Sequence, residues 1–302
     1  MDHAAALPSG VVVREVGPRD GLQNEDPVGV DDRVRLVDAL SRTGLRRIEA
    51  GAFVHPAAIP PMAGSEEVFA RIDRVPGVAY TALVPNVRGV ERAVTAGADE
   101  VEVVVSASTT HNQRNVKRST ADSMRAVPEL VALAHEAAIP VQGIVATAFG
   151  CPYEGDVDPA RVAGLVAEYL DAGCDSICLG DTTGMATPTR VWDVLARLPE
   201  CDLTLHLHNT RGTGLANVLA GLEAGVTGFD ASVGGMGGCP YAPGATGNIV
   251  TEDLVHMLAD MGIGTGIDLD ALVACAALAE DIVGRELPSQ VLRAGPRLGH
   301  PH

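Results

Sequence analysis

Leu170-Asp-Ala-Gly173, followed within three residues by the run Ser176 to Leu179, is the stretch on which the fold turns. A helix that stops on glycine uses the left-handed conformation that glycine adopts without steric cost, and a short apolar run directly after it reads as a strand. The same grammar recurs in Leu-Ser-Arg-Thr-Gly44, Val-Thr-Ala-Gly97 and Leu-Glu-Ala-Gly225, each just ahead of a new apolar run. Working outward, eight candidate strands emerge: Val11 to Val16, Arg47 to Phe53, Val78 to Leu83, Glu100 to Ser106, Val141 to Thr147, Ser176 to Leu179, Leu203 to Leu207 and Gly228 to Val233. Helix-like stretches lie between them at Asp31 to Arg42, Val87 to Ala96, Ser123 to Ala138, Pro159 to Ala172, Pro188 to Leu198 and Thr213 to Ala224. From residue 11 to residue 228 is 217 residues, or seven steps of 31, the length of a strand-plus-helix unit. Eight such units predict a closed (β/α)8 TIM barrel. The open doubly wound alternative lacks its G-x-G-x-x-G fingerprint, and no G-x-x-x-x-G-K-[ST] phosphate loop occurs.

Beyond the eighth run come the Gly/Pro-rich stretch Gly234 to Gly247 and two helix-like segments, Ile249 to Ala259 and Leu269 to Val283. No shift in composition marks a second domain. The expected layout is a flexible N-terminus over residues 1–10, a catalytic barrel with a Gly-rich lid loop over 11–248, and a C-terminal helical extension of the same domain over 249–302.

The 302 residues are 46% hydrophobic, enough for a large core. Lys+Arg number 22 against 39 Asp+Glu, a formal charge of −17, which disfavours general nucleic-acid binding. The start, MDHAAALPSG, has neither the basic lead nor the apolar centre of a secretory signal, and no run suits a membrane span, so a cytoplasmic location is expected. Six cysteines (Cys151, Cys174, Cys178, Cys201, Cys239, Cys275) lack Cys-x-x-Cys spacing and read as thiols. Lys117 is the single lysine, and arginine, which stays protonated, cannot form an imine. Carbon–carbon bond chemistry through a lysine Schiff base is therefore disfavoured unless Lys117 performs it.

In such barrels reactive groups gather at the C-terminal ends of the strands. Three clusters qualify. The first strand ends in Val16-Gly-Pro-Arg19-Asp20-Gly-Leu-Gln23-Asn24-Glu25, setting a cation beside a carboxylate. In Leu203-Thr-Leu-His206-Leu-His208-Asn209 two imidazoles two residues apart project from one face and can reach a common ion. The third cluster, Gly234 to Asn248, has the glycine density of a hinged loop around Cys239. A carboxylate, two histidines and an amide oxygen make a mixed O/N set suited to Mg2+, Mn2+ or a similar divalent ion.

Val16-Gly-Pro-Arg-Asp-Gly-Leu-Gln-Asn-Glu25, Ile48-Glu-Ala-Gly-Ala-Phe-Val54, Gly150-Cys-Pro-Tyr-Glu-Gly155, Leu179-Gly-Asp-Thr-Thr-Gly184, His206-Leu-His208 and Gly237-Gly-Cys-Pro-Tyr-Ala-Pro-Gly-Ala-Thr-Gly-Asn248 together resemble the 3-hydroxy-3-methylglutaryl-CoA lyase family. The resemblance runs from about residue 11 to about 285. It implies a TIM barrel holding a divalent cation (Mg2+ or Mn2+) through Asp20, His206, His208 and Asn248. Arg19 would stand beside the metal and Cys239 on the lid, with Glu49 and Asp181 as further active-site acids. It also implies an acyl-CoA substrate cleaved to acetyl-CoA and acetoacetate, as in leucine degradation, by a homodimer with no nucleic-acid or membrane partner. His206 competes with Cys239 for one of two proton transfers. Asn209-Thr-Arg211 and Cys178 depart from the animal enzymes, which leaves a related 3-hydroxyacyl-CoA with another branch as an alternative substrate. A Claisen-type synthase, an aldolase of the same superfamily and a non-catalytic CoA-ester-binding barrel are the competing readings. Arg114, Lys117 and Arg118 either meet CoA phosphates or belong to a solvated loop.

Overall fold

The computed structural model describes residues 7–237 and 247–297. Its strands are β1 (Val12–Glu15), β2 (Arg47–Ala52), β3 (Ala79–Leu83), β4 (Glu100–Ser106), β5 (Val141–Ala146), β6 (Ser176–Gly180), β7 (Leu203–His206) and β8 (Gly228–Ala231). Each pairs in parallel with the next, and β8 closes on β1, so the eight expected strands form the expected barrel. Around it run α1 (Val30–Leu40), α2 (Ser65–Arg71), α3 (Val87–Ala96), α4 (Thr109–Val116), α5 (Thr120–Met124), α6 (Val127–Glu136), α7 (Pro159–Asp171), α8 (Pro188–Leu195) and α9 (Gly214–Glu223), followed by α10 (Thr251–Asp260), α11 (Leu269–Val283) and α12 (Gln290–Ala294).

The four helix-ending glycines all have φ between 77° and 93°. At Gly44 a side chain is excluded on two grounds, since an added Cβ would also lie 2.3 Å from the Gly266 carbonyl oxygen. The stretch expected as one helix over Ser123 to Ala138 divides into α5 and α6, because Pro128 has no N–H to continue a helix but fits the first turn of a new one. Helix α4 escaped a reading based on apolar periodicity because it is mostly polar. It is started instead by Ser108, whose Oγ accepts from the His111 amide at 3.0 Å. The N-terminal segment is anchored earlier than expected: Gly10 pairs with Gly264, and the Gly264 amide donates to the Ser9 carbonyl at 3.0 Å. Five of the six cysteines are free thiols, the sixth lying outside the described residues. Among the described residues no helix is long and apolar enough to cross a membrane.

The apolar core is the ring between sheet and helices, filled by outward strand residues such as Val13, Val101, Val103 and Ile177 and by helix residues such as Leu36, Leu40 and Val166. The lumen, by contrast, carries Arg14, Glu49, Glu102, Gln142 and Asp230, all buried. Helix α11 buries Leu272, Cys275, Ala276 and Ala279 and packs on α1 and on the turn Val233–Gly235. The apolar face of this helix is thus spent inside the subunit.

Two buried carboxylates fasten that turn. Glu15 accepts from the amides of Gly17 and Val233 at 2.7 and 2.8 Å and from the Thr251 hydroxyl at 2.7 Å, and Glu252 accepts from the Gly234 amide at 3.0 Å. Burial pushes Glu252 from 4.5 up to about 8, so the folded chain keeps a proton that the unfolded chain has released. Stability must then fall as pH rises from about 4.5 to about 8. Glu252→Gln, neutral throughout, is expected to gain on wild type by roughly 2–4 kcal/mol across that window. Melting curves at several pH values check this, and a difference in Tm that ignores pH would refute it.

Candidate active site and metal centre

The C-terminal ends of β1, β7 and β8 bring the key groups together. After β1 the chain makes a π-helical turn, Gly17–Gly21, with Pro18 in its first turn, and this turns Arg19 and Asp20 toward the barrel mouth. Asp20 Oδ1 accepts from Arg19 Nη1 at 2.8 Å and from Gln23 Nε2 at 2.6 Å. Its Oδ2 accepts from Asn248 Nδ2 at 2.8 Å and lies 3.9 Å from His206 Nε2. Gly237 permits this approach: at φ +98°, an added Cβ would lie 2.8 Å from Asn248 Nδ2.

His206 closes β7, and His208, two residues on, pairs with Asn248 in an isolated bridge. Their Nε2 atoms are 3.1 Å apart with the ring planes tilted by 50°. The alternation argument therefore holds: both imidazoles face one point. One ligand atom each from Asp20, His206 and His208 lies within 4.8 Å of the others. Asn248 stands beside them but presents its amide N–H to Asp20.

Electrostatics prepare Asp20 and His208 as ligands. Burial raises Asp20, but the Arg19 guanidinium and both imidazoles outweigh it and hold the acid at about 2, hence ionised. Burial and the neighbouring His206 push His208 down to about 3, so it is a neutral imidazole. Burial lowers His206 too, yet the hydrogen bond to Asp230 and the Asp20 charge raise it overall.

Glu49 on β2 accepts from Arg19 Nε and faces the Glu102 carboxyl, with which it shares a hydrogen bond when protonated. Burial drives Glu49 well up, against the Arg19 charge and with the help of Glu102. Asp181 follows β6. Its Oδ1 accepts from the Met185 and Ala186 amides at 2.7 and 3.0 Å, while Oδ2 is buried with no partner within hydrogen-bond reach among the described residues. Burial, opposed by those amides, brings it to about 7. Cys239 lies outside the described residues. Arg114 is stacked 4.1 Å above the Tyr153 ring and Lys117 Nζ donates to the Arg114 carbonyl at 3.0 Å, and Lys117, Arg118 and Arg125 line an open surface cavity.

The lumen holds buried charged residues, in contact with the site, that the sequence reading passed over. Arg14 Nε and Nη2 donate to both oxygens of Asp230 at 2.8 and 2.6 Å, and Nη1 donates across the barrel to Glu102 at 2.6 Å. Glu102 also accepts from the Thr81 hydroxyl at 2.6 Å. The signal was present as a charge inside each apolar strand: Arg14 in Val-Val-Arg-Glu, Glu102 in Glu-Val-Glu-Val and Asp230 in Gly-Phe-Asp-Ala. Arg14 and Arg19 bring two positive charges against four carboxylates, Asp20, Glu49, Glu102 and Asp230. A dication at the Asp20–His206–His208 cluster would close that balance. The groups that favour protons here, Glu49 and His206, are the ones that balance it without one. The O/N donor set and the neutral His208 fit a divalent ion.

A model of the HMGL-like family matches residues 11–279. A hydroxymethylglutaryl-CoA lyase of Bacillus subtilis is 45% identical over 291 residues, covering 95% of this chain and 97% of that protein. A 3-hydroxy-3-isohexenylglutaryl-CoA/hydroxymethylglutaryl-CoA lyase of Pseudomonas aeruginosa is 44% identical, covering 95% of this chain and 98% of that protein. Among solved structures, an HMG-CoA lyase from Acinetobacter baumannii in complex with coenzyme A and 3-methylmalate superposes with a TM-score of 0.92 at 46% identity, covering 97% of this chain and 98% of that one.

Proposed function

This chain belongs to the HMGL-like family, and from that premise we propose that it is a divalent-cation-dependent carbon–carbon lyase. Its substrate is 3-hydroxy-3-methylglutaryl-CoA or a closely related branched 3-hydroxyacyl-CoA. The products are acetyl-CoA and acetoacetate or the analogous keto acid. The observation that carries this reading is the convergence of Asp20, His206 and His208, with Arg19 against Asp20, at one rim of the barrel.

When bound, a Mg2+ or Mn2+ ion would chelate the substrate's C3 hydroxyl and an acid oxygen and make that hydroxyl more acidic. Asp20, His206 and His208 would hold it, with Asn248 turning its amide oxygen toward the same point. Asp181, near half-protonation at neutral pH and with a bare Oδ2, is suited to take the hydroxyl proton. As that proton leaves, the C3–O bond becomes a carbonyl, the C2–C3 bond breaks, and its electron pair passes to the thioester as an enolate. Arg19, with Nε held by Glu49 and Nη1 by Asp20, keeps Nη2 for the enolate oxygen. A proton delivered to the enolate carbon by Cys239, or by His206 as its rival, completes acetyl-CoA. Glu49 sets the guanidinium in place.

The reading extends to a cytoplasmic homodimer in leucine breakdown. The alternative acyl branch gains support from the Pseudomonas relative, whose name carries two glutaryl-CoA substrates. Incubating purified protein with hydroxymethylglutaryl-CoA and Mg2+ or Mn2+ is expected to release acetyl-CoA and acetoacetate, and excess EDTA should abolish that release. Full turnover in chelator would overturn the cation's role. Failure on hydroxymethylglutaryl-CoA beside cleavage of a longer-branched ester would reassign the substrate.

A further inference from the structure

Resting on the cation site above, we propose that Asp230 is a positioning residue that sets the tautomer of His206, with Arg14 locking Asp230 from the opposite side. The three residues sit side by side on neighbouring strands, His206 facing Asp230 across the β7–β8 pair and Arg14 facing Asp230 across the β8–β1 pair. Asp230 Oδ2 is 3.1 Å from His206 Nδ1. Arg14 donates to both oxygens of the same carboxylate, at 2.8 and 2.6 Å, and its third donor, Nη1, is fixed by Glu102 at 2.6 Å. Asp230 is 2% exposed and Arg14 3%, so the pair is shielded from bulk water.

An ionised carboxylate only accepts hydrogen bonds. The proton of neutral His206 must therefore sit on Nδ1, which leaves the Nε2 lone pair directed at Asp20 and His208, where a cation would bind. A carboxylate behind a ligating imidazole both orients the ring and strengthens it as a donor. His208 has no such support, since its Nδ1 is buried without a partner among the described residues. The two imidazoles thus differ: His206 is preset, and His208 follows.

Asp230→Asn keeps the shape and breaks the device. An amide turned one way points its NH2 at His206 and at Arg14 Nη2. Turned the other way it points the NH2 at Arg14 Nε. Neither orientation satisfies both neighbours, and the first drives the His206 proton onto Nε2, against the cation. Two measurements on the full chain test this. The first is 15N NMR of labelled histidines in metal-free wild type at a pH where the rings are neutral; the expected His206 signature is a protonated Nδ1 and a bare Nε2. The second is Mn2+ titration followed by EPR of the free ion; D230N, shown by circular dichroism to be folded, is expected to bind about 10–100-fold more weakly than wild type. A wild-type His206 protonated on Nε2 overturns the proposal, as does a folded D230N that binds Mn2+ within twofold of wild type. Should D230N fail to fold, the wild-type tautomer decides alone. Wild type that binds no Mn2+ overturns the cation site itself and this inference with it, a result distinct from normal wild-type binding with an undiminished variant.

Discussion

Arg19→Leu is expected to lower kcat by about 10³-fold, on the order of 4 kcal/mol of lost transition-state stabilisation. The guanidinium is preorganised before substrate arrives: Glu49 takes Nε, Asp20 takes Nη1, and the side chain is nearly buried. A fixed charge in that setting acts mainly on the enolate, which carries full negative charge, and little on the neutral thioester of the ground state, so KM should move far less than kcat. The fold should survive. Glu49 loses its cationic partner, but burial already favours its neutral acid form, and Asp20 keeps its hydrogen bonds from Gln23 and Asn248 beside the two imidazoles. Steady-state kinetics with cation saturating separate the outcomes: a kcat within tenfold of wild type would remove Arg19 from enolate stabilisation. A comparable rise in KM with kcat preserved would make it a binding residue only.

How much of this was readable before any coordinates depends on what each residue's signal consists of. The barrel was legible because its grammar is local: a glycine forced to positive φ and an apolar run after it repeat at a period that only strand-plus-helix units explain. The His206–His208 pair was legible for the same reason, since strand geometry alone puts two side chains on one face. Arg19, Asp20 and Asn248 were legible as polar residues after the first and last strands, and the resemblance added their roles, since no local rule says that residue 20 meets residue 248. The split of α5 from α6 needed Pro128 to be weighed as a helix start, a detail that apolar periodicity hides. Arg14, Glu102 and Asp230 escaped for a deeper reason. In this barrel the apolar core lies outside the sheet, and Arg14, Glu102 and Asp230 fill the lumen while Glu15, one residue on from Arg14, turns outward to Val233 and Thr251; only the register of a strand tells the two apart, and a reading that looks for polar residues only at strand ends passes over both.

That lumen bears directly on the last expected result. His206→Ala should weaken Mn2+ binding more than the 10–100-fold that loss of an outer partner produces, because it removes a ligand outright. The protein should still fold, since Asp230 keeps both of its bonds to Arg14 and no buried charge is stranded. The informative quantity is kcat once enough Mn2+ has been added to refill the weakened site. If His206 serves only to hold the ion, a refilled site regains much of its turnover, with the loss confined to the cation's apparent affinity. Should His206 also deliver the proton to the enolate carbon, kcat remains depressed at saturating Mn2+ by the 10²–10⁴-fold typical of a missing general acid. Cys239→Ser provides the opposing arm, with cation affinity kept and turnover lowered if the thiol is the donor. Unchanged Mn2+ affinity in His206→Ala would take the imidazole out of the ligand set altogether. The convergence with His208 at 3.1 Å would then need another explanation.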